Sequence, residues 1–424
     1  MGVFEELSWR GLIHQTTSED LAQILAKPTT LYIGFDPTAN SLHAGSLVPL
    51  MTMLHFQRYG HRVIALVGGA TGMIGDPSFK STERHLQTEE TVRGFQAALA
   101  AQIRSILSEV PDNPPIFVNN IDWLGQMNLL SFLRDTAKHF SVNAMINRDS
   151  VRIRFEREGD GISFTEFSYP LLQAHDFLEL YRREGCLLQC GASDQWGNII
   201  SGVELIRRVE GVQAYGLTMP LLTNAAGQKL GKTEKGTTFL SAEVTSPYRF
   251  YQFWVNMADA DVGKLLRWFT LKDRAEIEAL DATIGGPERL AQKALAYDVT
   301  CRVHGKDEAD RAVRASQVLF GGGDLRGLPV SLLREIFSDV PNVEVAADRF
   351  AGEGCSLVEL LVESGLAASK GEARRQIEQG GVAVQGAAVA PQKGDPRVSA
   401  DALIEGEVLV IRRGKRNNAL VLAR

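Results

Sequence analysis

Residues 30–67 place the strongest constraint on how this chain folds. Residues 30–35 are typical of a strand, residues 46–59 carry apolar side chains at helical spacing, and residues 63–67 are typical of a second buried strand. A strand, a helix and a strand in succession form a βαβ unit, and such a crossover makes the two strands parallel. Because helices cover the faces of parallel sheets, this unit assigns the first part of the chain to the α/β class.

The alternation of strands and helices continues beyond this unit. Residues 116–118 and 186–190 predict further strands, and residues 129–140 predict a helical stretch. We therefore predict that residues 1–220 form a doubly wound, Rossmann-like domain with a parallel sheet. Ligands of such sheets bind beyond the carboxyl ends of the strands.

The rest of the chain changes character. Helical patterns replace the alternation after about residue 246, and short strands return near the end of the chain. We predict a lysine-bearing loop and linker at 221–247, an α-helical domain at 248–345 and a small α+β domain at 346–424.

Composition excludes several classes of protein. The 424 residues are 44% hydrophobic and carry a net charge of -6, which is typical of a soluble globular protein and argues against non-specific coating of nucleic acid. No stretch approaches the roughly 18 apolar residues of a membrane span, so we expect no membrane insertion and a cytoplasmic location. The four cysteines form no Cys-x-x-Cys pair, so we expect neither a metal site nor a disulfide.

A histidine box opens the helix of the βαβ unit. His43-Ala44-Gly45-Ser46 follows the first strand, where a helix N-terminus can hold an anion. His43 and Thr38 could donate to phosphate oxygens, and Gly45, which lacks a Cβ, would let an adenine ring lie on the backbone. An isolated His-x-Gly is more often an ordinary loop histidine, but its place in the βαβ unit favours a nucleotide site.

A lysine loop lies at residues 227–233. It nearly matches a P-loop, but three residues rather than the required four precede Gly-Lys-Thr, and Ala226 occupies the position of the first glycine. We therefore reject a P-loop NTPase. A solvated loop is the simple alternative, whereas its glycines suit a mobile lid that brings Lys229 and Lys232 onto a leaving pyrophosphate.

Two polar groupings predict a pocket wall. Tyr169, Gln173 and Asp176 fall at i, i+4 and i+7 on one helical face. A solvent-exposed face usually carries Lys, Arg or Glu, so a pocket wall is an equal alternative. Asp194 follows the strand at 186–190, where a carboxylate can hold ribose hydroxyls, or where an Asx turn can cap the next helix.

Taken together, and in this order, the segments 32–38, 43–46, 191–198 and 229–233 closely resemble those of the bacterial tyrosyl-tRNA synthetases, which are class I aminoacyl-tRNA synthetases. The histidine box is similar to their HIGH signature and the lysine loop to their KMSKS signature. Three residues depart from the pattern: Ser46 replaces the second histidine, Gly231 replaces a serine, and Ala192 stands where many members carry glycine.

The resemblance implies ATP as a substrate, with Mg²⁺ accompanying it, and L-tyrosine and tRNA(Tyr) as the other partners. The phenolic hydroxyl of tyrosine would be bound by Tyr32 and Asp176. The α-ammonium group would be held by Asp76, Tyr169 and Gln173, and Gln195 would lie near the reacting carboxylate. The adenylate and ATP site would include Gly34, Asp36, Gly45, Ser46 and Asp194. The phosphates would be bound by Thr38, His43, Lys229, Lys232 and Thr233, with Lys80 and Arg84 as helpers in the transition state.

Basic residues cluster near the end of the chain. Lys370, Arg374 and Arg375 lie on a predicted helix, and Arg412 and Arg413 begin a second cluster. This region resembles the alpha-L RNA-binding module of many bacterial tyrosyl enzymes, and the preceding helical region resembles their anticodon-recognition domain. A solvated basic face is the alternative interpretation.

Three other functions remain open at this point. A tryptophanyl-tRNA synthetase shares the domain plan, although Tyr32 with Asp176 favours a phenol over an indole. A non-catalytic RNA-binding derivative would be expected to lack part of the histidine box or the lysine loop. An adenylating enzyme that does not use tRNA would not need the basic C-terminal region. The family also implies a homodimer, which we expect to form through residues 129–140.

Overall fold

The computed structural model describes residues 2–78, 88–147, 151–152, 162–233, 236–321, 324–338, 340–414 and 417–424. Internal contacts divide the chain into two compact units, Met1–His304 and Gly305–Arg424. The predicted four-part division of the chain stays a prediction.

A six-stranded sheet forms the centre of the first unit, with the order β1-β6-β5-β2-β3-β4. All neighbouring strands are parallel except β1 and β6. The strands are β1 Gln15–Thr16, β2 Thr30–Phe35, β3 Arg62–Val67, β4 Ile116–Asn119, β5 Leu188–Ala192 and β6 Tyr215–Met219. The predicted α/β class and the parallel βαβ unit are confirmed.

The strand order reverses between β2 and β5. From β2 the chain builds outward through β3 and β4, and it then returns to place β5 and β6 on the other side. In a doubly wound sheet this reversal leaves a crevice beyond the carboxyl ends of the two central strands. The crevice between β2 and β5 is therefore the place where this fold most readily binds a ligand.

Helices cover the sheet and extend beyond it in the first unit. Leu47–Arg58 is almost wholly buried, which explains its apolar sequence on all sides. The described helices before β6 are Val3–Arg10, Leu21–Ile24, Leu47–Arg58, Thr71–Ile74, Glu89–Leu107, Ile121–Leu124, Leu129–Ser131, Val142–Ile146, Phe164–Glu184 and Trp196–Glu210. After β6 come Pro247–Val255, Asp259–Phe269, Arg274–Asp281 and Leu290–His304.

A buried arginine ties the first helix to the helical part of this unit. Arg10 is 3% exposed and donates to Glu6 and to the carbonyl oxygens of Thr270 and Lys272, each at 2.7–2.8 Å. Burial lowers the pKa of Arg10, while the hydrogen bond with Glu6 raises it. The buried cation is thus compensated by acceptors from two distant parts of the sequence.

Two elements differ from the sequence prediction. The strand predicted at 186–190 lies at Leu188–Ala192, because its pairing runs from Leu188 with Tyr215 to Ala192 with Met219. The helical stretch predicted at 129–140 consists of three short turns, Leu129–Ser131, Phe132–Thr136 and Ala137–His139, and the middle one is a π-helix.

The second unit combines four described helices with a five-stranded sheet of order β12-β11-β14-β15-β9. A core of aliphatic side chains, including Leu361, Ile377, Leu409 and Val421, joins two of these helices to the sheet. The strands of this sheet are β9 Asn342–Val345, β11 Val382–Val384, β12 Ala387–Ala388, β14 Val408–Arg413 and β15 Asn417–Ala423. The strands β10 Cys355–Ser356 and β13 Arg397–Val398 form a separate antiparallel pair. The helices are Lys306–Gly321, Val330–Ile336, Leu357–Glu363 and Lys370–Glu378.

Among the helices that the structure describes, none combines the length and the apolar character required to cross a bilayer.

Candidate active site

A cavity of about 250 Å³ lies in the crevice between β2 and β5. Ten of the sequence-predicted site residues line it: Tyr32, Gly34, Asp36, Thr38, Ser46, Asp76, Tyr169, Gln173, Asp176 and Gln195. Residues from β2, β5 and the helix Phe164–Glu184 thus converge at the position that the strand order predicts.

A buried carboxyl group forms part of the cavity wall. Asp176 is 2% exposed, and its Oδ1 accepts from Trp123 Nε1 at 2.7 Å while its Oδ2 accepts from Asn120 Nδ2 at 3.0 Å. Burial raises the pKa of Asp176 to about 8, although both hydrogen bonds act to lower it. Asp176 is therefore a buried group that changes protonation near neutral pH.

A buried phenol lies in the same cavity. Tyr32 is 2% exposed, and its Oη has no hydrogen-bond partner among the described residues. Burial first, and the charge of Asp176 second, raise the pKa of Tyr32 well above its ordinary value. A buried hydroxyl without a partner carries a free-energy cost, which a polar ligand atom would remove.

Acidic and amide side chains line another part of the cavity. Tyr169 Oη donates to Asp36 Oδ2 at 2.7 Å, and Gln195 Nε2 donates to Asp76 Oδ2 at 2.6 Å. Gln173 Nε2 reaches Gln195 Oε1 at 3.3 Å, so that the two glutamines belong to one network. The described lining contains three aspartates and no Lys or Arg. Such a site attracts a cationic group.

The predicted polar stripe is a pocket wall. Tyr169, Gln173 and Asp176 all line the cavity from the helix Phe164–Glu184. The helix begins with Ser163 as its N-cap, whose hydroxyl accepts from Glu166 N. The contacts that the sequence predicted for these side chains with a ligand remain predictions.

The histidine box lies next to this cavity. His43 caps the turn Ala44–Ser46, which leads into the helix Leu47–Arg58, and its Nδ1 accepts from Gly45 N at 3.0 Å. The neutral ring then carries its proton on Nε2, which can donate to an anion. A Cβ on residue 45 would lie 2.9 Å from the His43 ring, so Gly45 makes room for this imidazole.

The lysine loop continues into a segment that pairs with the histidine box. Ala44 N donates to Thr238 O at 2.9 Å, and Leu240 N donates to Leu42 O at 2.8 Å. Thr238 N in turn donates to Gly231 O of the lysine loop at 2.9 Å. The two short strands β7 Lys232–Thr233 and β8 Gly236–Thr237 form an antiparallel pair. The two signatures are therefore neighbours although almost two hundred residues separate them.

Several predicted residues lie outside the cavity lining. His43, Gly45, Asp194 and Lys229 do not line it; Asp194 belongs to the turn that follows β5, and Lys229 is exposed. Lys80 and Arg84 lie outside the described residues, as do the side chains of Lys232 and Thr233.

Residues that sequence reasoning missed support the acidic side chains. Asn120 and Trp123 hold Asp176, and Thr71 Oγ1 donates to Asp36 Oδ1 at 2.7 Å. Asn120 directly follows β4, so a search for polar residues at strand ends would have found it. No sequence pattern marks Trp123 or Thr71.

Two glycines that follow β3 leave space for polar side chains near the site. A Cβ on Gly68 would lie 2.1 Å from Asp36 Oδ1 and 2.3 Å from Thr71 Oγ1. A Cβ on Gly69 would lie 2.3 Å from Asn119 Oδ1. At both positions the missing Cβ therefore makes room for protein side chains of the site.

A larger cavity, of about 560 Å³, lies beside the C-terminal end of the helix Leu47–Arg58. His43 precedes the opposite end of this helix, so the larger cavity is remote from the histidine box. Two of its arginines, Arg10 and Arg274, are paired with Glu6. The cavity between β2 and β5 is therefore the better candidate site.

The basic residues of the second unit differ in their contacts. Arg374 and Arg375 are exposed and form no ion pair in the described part of the chain. Lys370 pairs with Glu359 at 2.8 Å, and Arg413 pairs with Glu372 at 3.4 Å. Arg412 lies on β14 and is half-buried.

No group of three or more His, Cys, Asp or Glu side chains within the described ranges is arranged to hold a metal ion.

The chain matches two family models. Residues 25–321 match class I tRNA synthetases for W and Y, and residues 333–421 match the C-terminal domain of SYY-like tyrosine–tRNA ligases. The tyrosine–tRNA ligase of Bacillus caldotenax is 49% identical over 429 residues, covering 99% of each chain. That of Roseiflexus castenholzii is 48% identical over 425 residues, again covering 99% of each.

Solved structures of tRNA synthetases also resemble this chain. A C-terminally truncated mitochondrial tyrosyl-tRNA synthetase of Aspergillus nidulans is 32% identical, with a TM-score of 0.69, covering 75% of this chain and 94% of that one. The tryptophanyl-tRNA synthetase of Plasmodium falciparum is 15% identical, with a TM-score of 0.53, covering 72% and 84%. The second likeness concerns the fold alone.

The pKa of Asp176 predicts a pH-dependent stability. The folded protein retains a proton on Asp176 that the unfolded chain releases above its pKa of 3.8. The contribution of this proton to the free energy of unfolding is therefore complete below about pH 4 and is lost as pH rises to about 8. Asparagine does not titrate, so the stability of Asp176→Asn should not show this fall with pH. The free energy of unfolding of the wild type, relative to the variant, should fall by up to about 1.4 kcal/mol per pH unit in this range.

Urea unfolding followed by tryptophan fluorescence measures this difference, because all five tryptophans lie in the first unit. Asp112→Asn, at an exposed position, is the control and should parallel the wild type. Parallel pH curves for wild type and Asp176→Asn would contradict a raised pKa.

Proposed function

This chain belongs to the tyrosine–tRNA ligases, a family of class I tRNA synthetases, and we propose that it activates L-tyrosine with ATP in the cavity between β2 and β5. The products of this step are tyrosyl-adenylate and pyrophosphate, and the tyrosyl group then passes to the 3′-terminal adenosine of tRNA(Tyr). The observation that carries this assignment is the buried carboxyl of Asp176 in the same cavity as the unpartnered hydroxyl of Tyr32.

Tyr32 and Asp176 are the proposed binding site for the phenolic hydroxyl of the substrate. A phenol can both donate and accept, so it can satisfy both buried groups at once. Phenylalanine lacks this hydroxyl and would leave them without a ligand partner. Such rejection is strong, and tyrosyl-tRNA synthetases are an established example of it.

The acidic part of the cavity is the proposed site of the α-ammonium group. Asp76, Tyr169 and Gln173 would surround it, and Gln195 would approach the reacting carboxylate when its hydrogen bond to Asp76 gives way to the substrate. The negative lining favours an ammonium over a phosphate. Tyrosine is thereby oriented with its carboxylate available to ATP.

The histidine box and the lysine loop are the proposed site of the triphosphate. The substrate carboxylate is already ionised near neutral pH, so its attack on the α-phosphorus needs no strong base. His43 Nε2 and Thr38 would donate to phosphate oxygens, and Lys229, Lys232 and Thr233 would stabilise the leaving pyrophosphate. Lys80 and Arg84 are proposed to assist. Positioning and charge stabilisation would then provide most of the rate.

The remaining ATP contacts and Mg²⁺ are also part of the proposal. Asp194 would bind the ribose, while Gly34, Asp36, Gly45 and Ser46 would lie along the adenylate. Mg²⁺ is proposed to enter with ATP on its phosphate oxygens, since this ion is commonly held by phosphates and water. A cytoplasmic location stays a prediction.

The hydroxyl site can be tested with amino-acid selectivity. Asp176→Ala should lower the ratio of kcat/KM for tyrosine over phenylalanine by about 10- to 100-fold, because the buried phenolic hydroxyl of tyrosine would lose a hydrogen-bond partner. ATP–pyrophosphate exchange with tyrosine, phenylalanine and tryptophan measures this ratio.

Tyr32→Phe is the matched variant, because it removes only the hydroxyl, and Asp112→Ala is the surface control. An unchanged ratio in Asp176→Ala would remove Asp176 from the recognition of tyrosine. Exchange that depends on tryptophan alone would overturn the proposed substrate.

The second unit is proposed to bind tRNA through Lys370, Arg374, Arg375, Arg412 and Arg413. Arg374 and Arg375 are exposed on neighbouring positions of the helix Lys370–Glu378, where their guanidinium groups can reach phosphates. The paired residues Lys370 and Arg413 would have to exchange a carboxylate for a phosphate, so we expect their contributions to be smaller.

Salt dependence of tRNA binding tests this surface. Replacing Arg374 and Arg375 together with glutamine should reduce the slope of log affinity against log salt by about 1 for each phosphate that the variant no longer neutralises. Fluorescence anisotropy with a tRNA(Tyr) transcript measures the slope. Arg349→Gln, whose guanidinium pairs with Glu359 and Glu363, is the control. Equal slopes for the double variant and the wild type would exclude these two arginines as phosphate ligands.

A homodimer is proposed through residues 129–140. Leu129, Leu130 and Leu133 are 68%, 74% and 46% exposed in this segment, and Val142 lies next to it at 57%. Adjacent exposed aliphatic side chains of this kind mark an interaction surface. A second copy of this chain is the proposed occupant because the tyrosine–tRNA ligase family suggests a homodimer.

Sedimentation equilibrium tests this surface. Leu130→Asp should shift the protein from dimer to monomer at micromolar concentration, because the interface would bury a carboxylate. Leu290→Asp is the matched control, since Leu290 is also exposed, at 43%, but lies elsewhere in the first unit. A monomeric wild type, or a Leu130→Asp variant that remains dimeric, would contradict the proposed interface.

A further inference from the structure

A chain of hydrogen bonds joins the two acidic parts of the cavity. Asp36 Oδ1 accepts from Thr71 Oγ1 at 2.7 Å, Thr71 Oγ1 accepts from Asn120 Nδ2 at 2.9 Å, and the same Nδ2 donates to Asp176 Oδ2 at 3.0 Å. We propose that Thr71 is a positioning residue for substrate selectivity, because its hydroxyl holds Asp36 and Asp176 in one fixed arrangement. This inference rests on the proposed function of the cavity.

The direction of each hydrogen bond is fixed by the groups involved. Asn120 Oδ1 accepts from Ala70 N at 2.8 Å, which identifies the other end of the amide as the NH₂ group. Its two protons go to Thr71 Oγ1 and Asp176 Oδ2. The hydroxyl of Thr71 must then donate its own proton to Asp36. Thr71 thus accepts from the side of Asp176 and donates to the side of Asp36.

Burial makes this hydroxyl difficult to replace. Thr71 is 2% exposed and Asn120 is fully buried, so water has little access to either group. Removing the hydroxyl would leave an N–H of Asn120 and an oxygen of Asp36 without these partners, which is costly in a buried network. A Cβ on Gly68 would displace both Asp36 and Thr71, so the backbone there also preserves the contact.

The chain connects residues with different proposed roles. Asp36 also accepts from Tyr169, which belongs to the proposed ammonium site, whereas Asp176 belongs to the proposed phenol site. If the hydroxyl of Thr71 is removed, Asn120 can rotate and both carboxylates can shift. Thr71 also lines the cavity, but its hydroxyl is engaged by Asn120 and Asp36, and no substrate contact is proposed for it. Recognition of the phenol should therefore weaken although every residue with a proposed substrate contact is still present.

The test compares Thr71→Val with Thr71→Ser. Valine has the shape of threonine without its hydroxyl, so Thr71→Val should lower the tyrosine-to-phenylalanine ratio of kcat/KM by about tenfold and raise the KM for tyrosine more than that for ATP. Thr71→Ser retains the hydroxyl and should keep the ratio within about twofold of the wild type. ATP–pyrophosphate exchange provides all of these values.

Thr52→Val is the matched control. Thr52 is fully buried and its Oγ1 donates to Val48 O at 2.9 Å inside the helix Leu47–Arg58, so this variant loses a buried hydroxyl outside the hydrogen-bond chain. It should leave the selectivity ratio unchanged. Thr71→Ala provides a second hydroxyl-free variant if Thr71→Val does not fold.

The outcomes separate the inference from the function on which it rests. An unchanged ratio in Thr71→Val or Thr71→Ala would overturn the positioning role, and so would an equal loss in Thr71→Ser, which would indicate packing instead. Absence of tyrosine-dependent exchange in the wild-type protein would refute the proposed function itself.

Discussion

The burial of one carboxyl group, that of Asp176, determines how the rest of the site is built. A buried carboxyl is unfavourable unless donors surround it. Here the donors are Asn120 and Trp123, which follow β4, whereas Asp176 itself lies in the middle of the helix Phe164–Glu184. These elements meet because the parallel sheet places strand ends at one edge. The fold thus brings Asp176 into contact with donors that lie more than 50 residues away in the sequence.

Separation of charge is the second organising feature. The described cavity lining carries carboxylates without Lys or Arg, while the histidine box pairs beside it with the segment that directly follows the lysine loop. An ammonium and a triphosphate therefore find different surroundings within one crevice. A single residue of the wrong sign in the lining would weaken this distinction, because charges interact strongly where water is scarce.

The sequence predicted those features that local pattern controls. The bounds of β2, the parallel pairing of β2 with β3, and the helical face of Tyr169, Gln173 and Asp176 follow from spacing alone. Thr71, Asn120 and Trp123 were missed because their contacts depend on which strand ends become neighbours. The start of β5 was misplaced for a similar reason, since pairing with β6 rather than its own apolar residues sets its bounds.

The number of basic residues in a segment predicts a binding surface less well than the ion pairs that those residues already form. The sequence groups Lys370 with Arg374 and Arg375 as equal members of one basic cluster, but Lys370 pairs with Glu359 whereas both arginines form no ion pair in the described part of the chain. A cation that must leave a carboxylate gains less from a phosphate than one that leaves only water. The same distinction applies in the first unit, where two arginines of the larger cavity, Arg10 and Arg274, are paired with Glu6 and the hydroxyl of Tyr32 has no partner among the described residues. The hydroxyl of Tyr32 is thus a clearer mark of the site than a count of charges, because its missing partner is visible in the structure and not in the sequence.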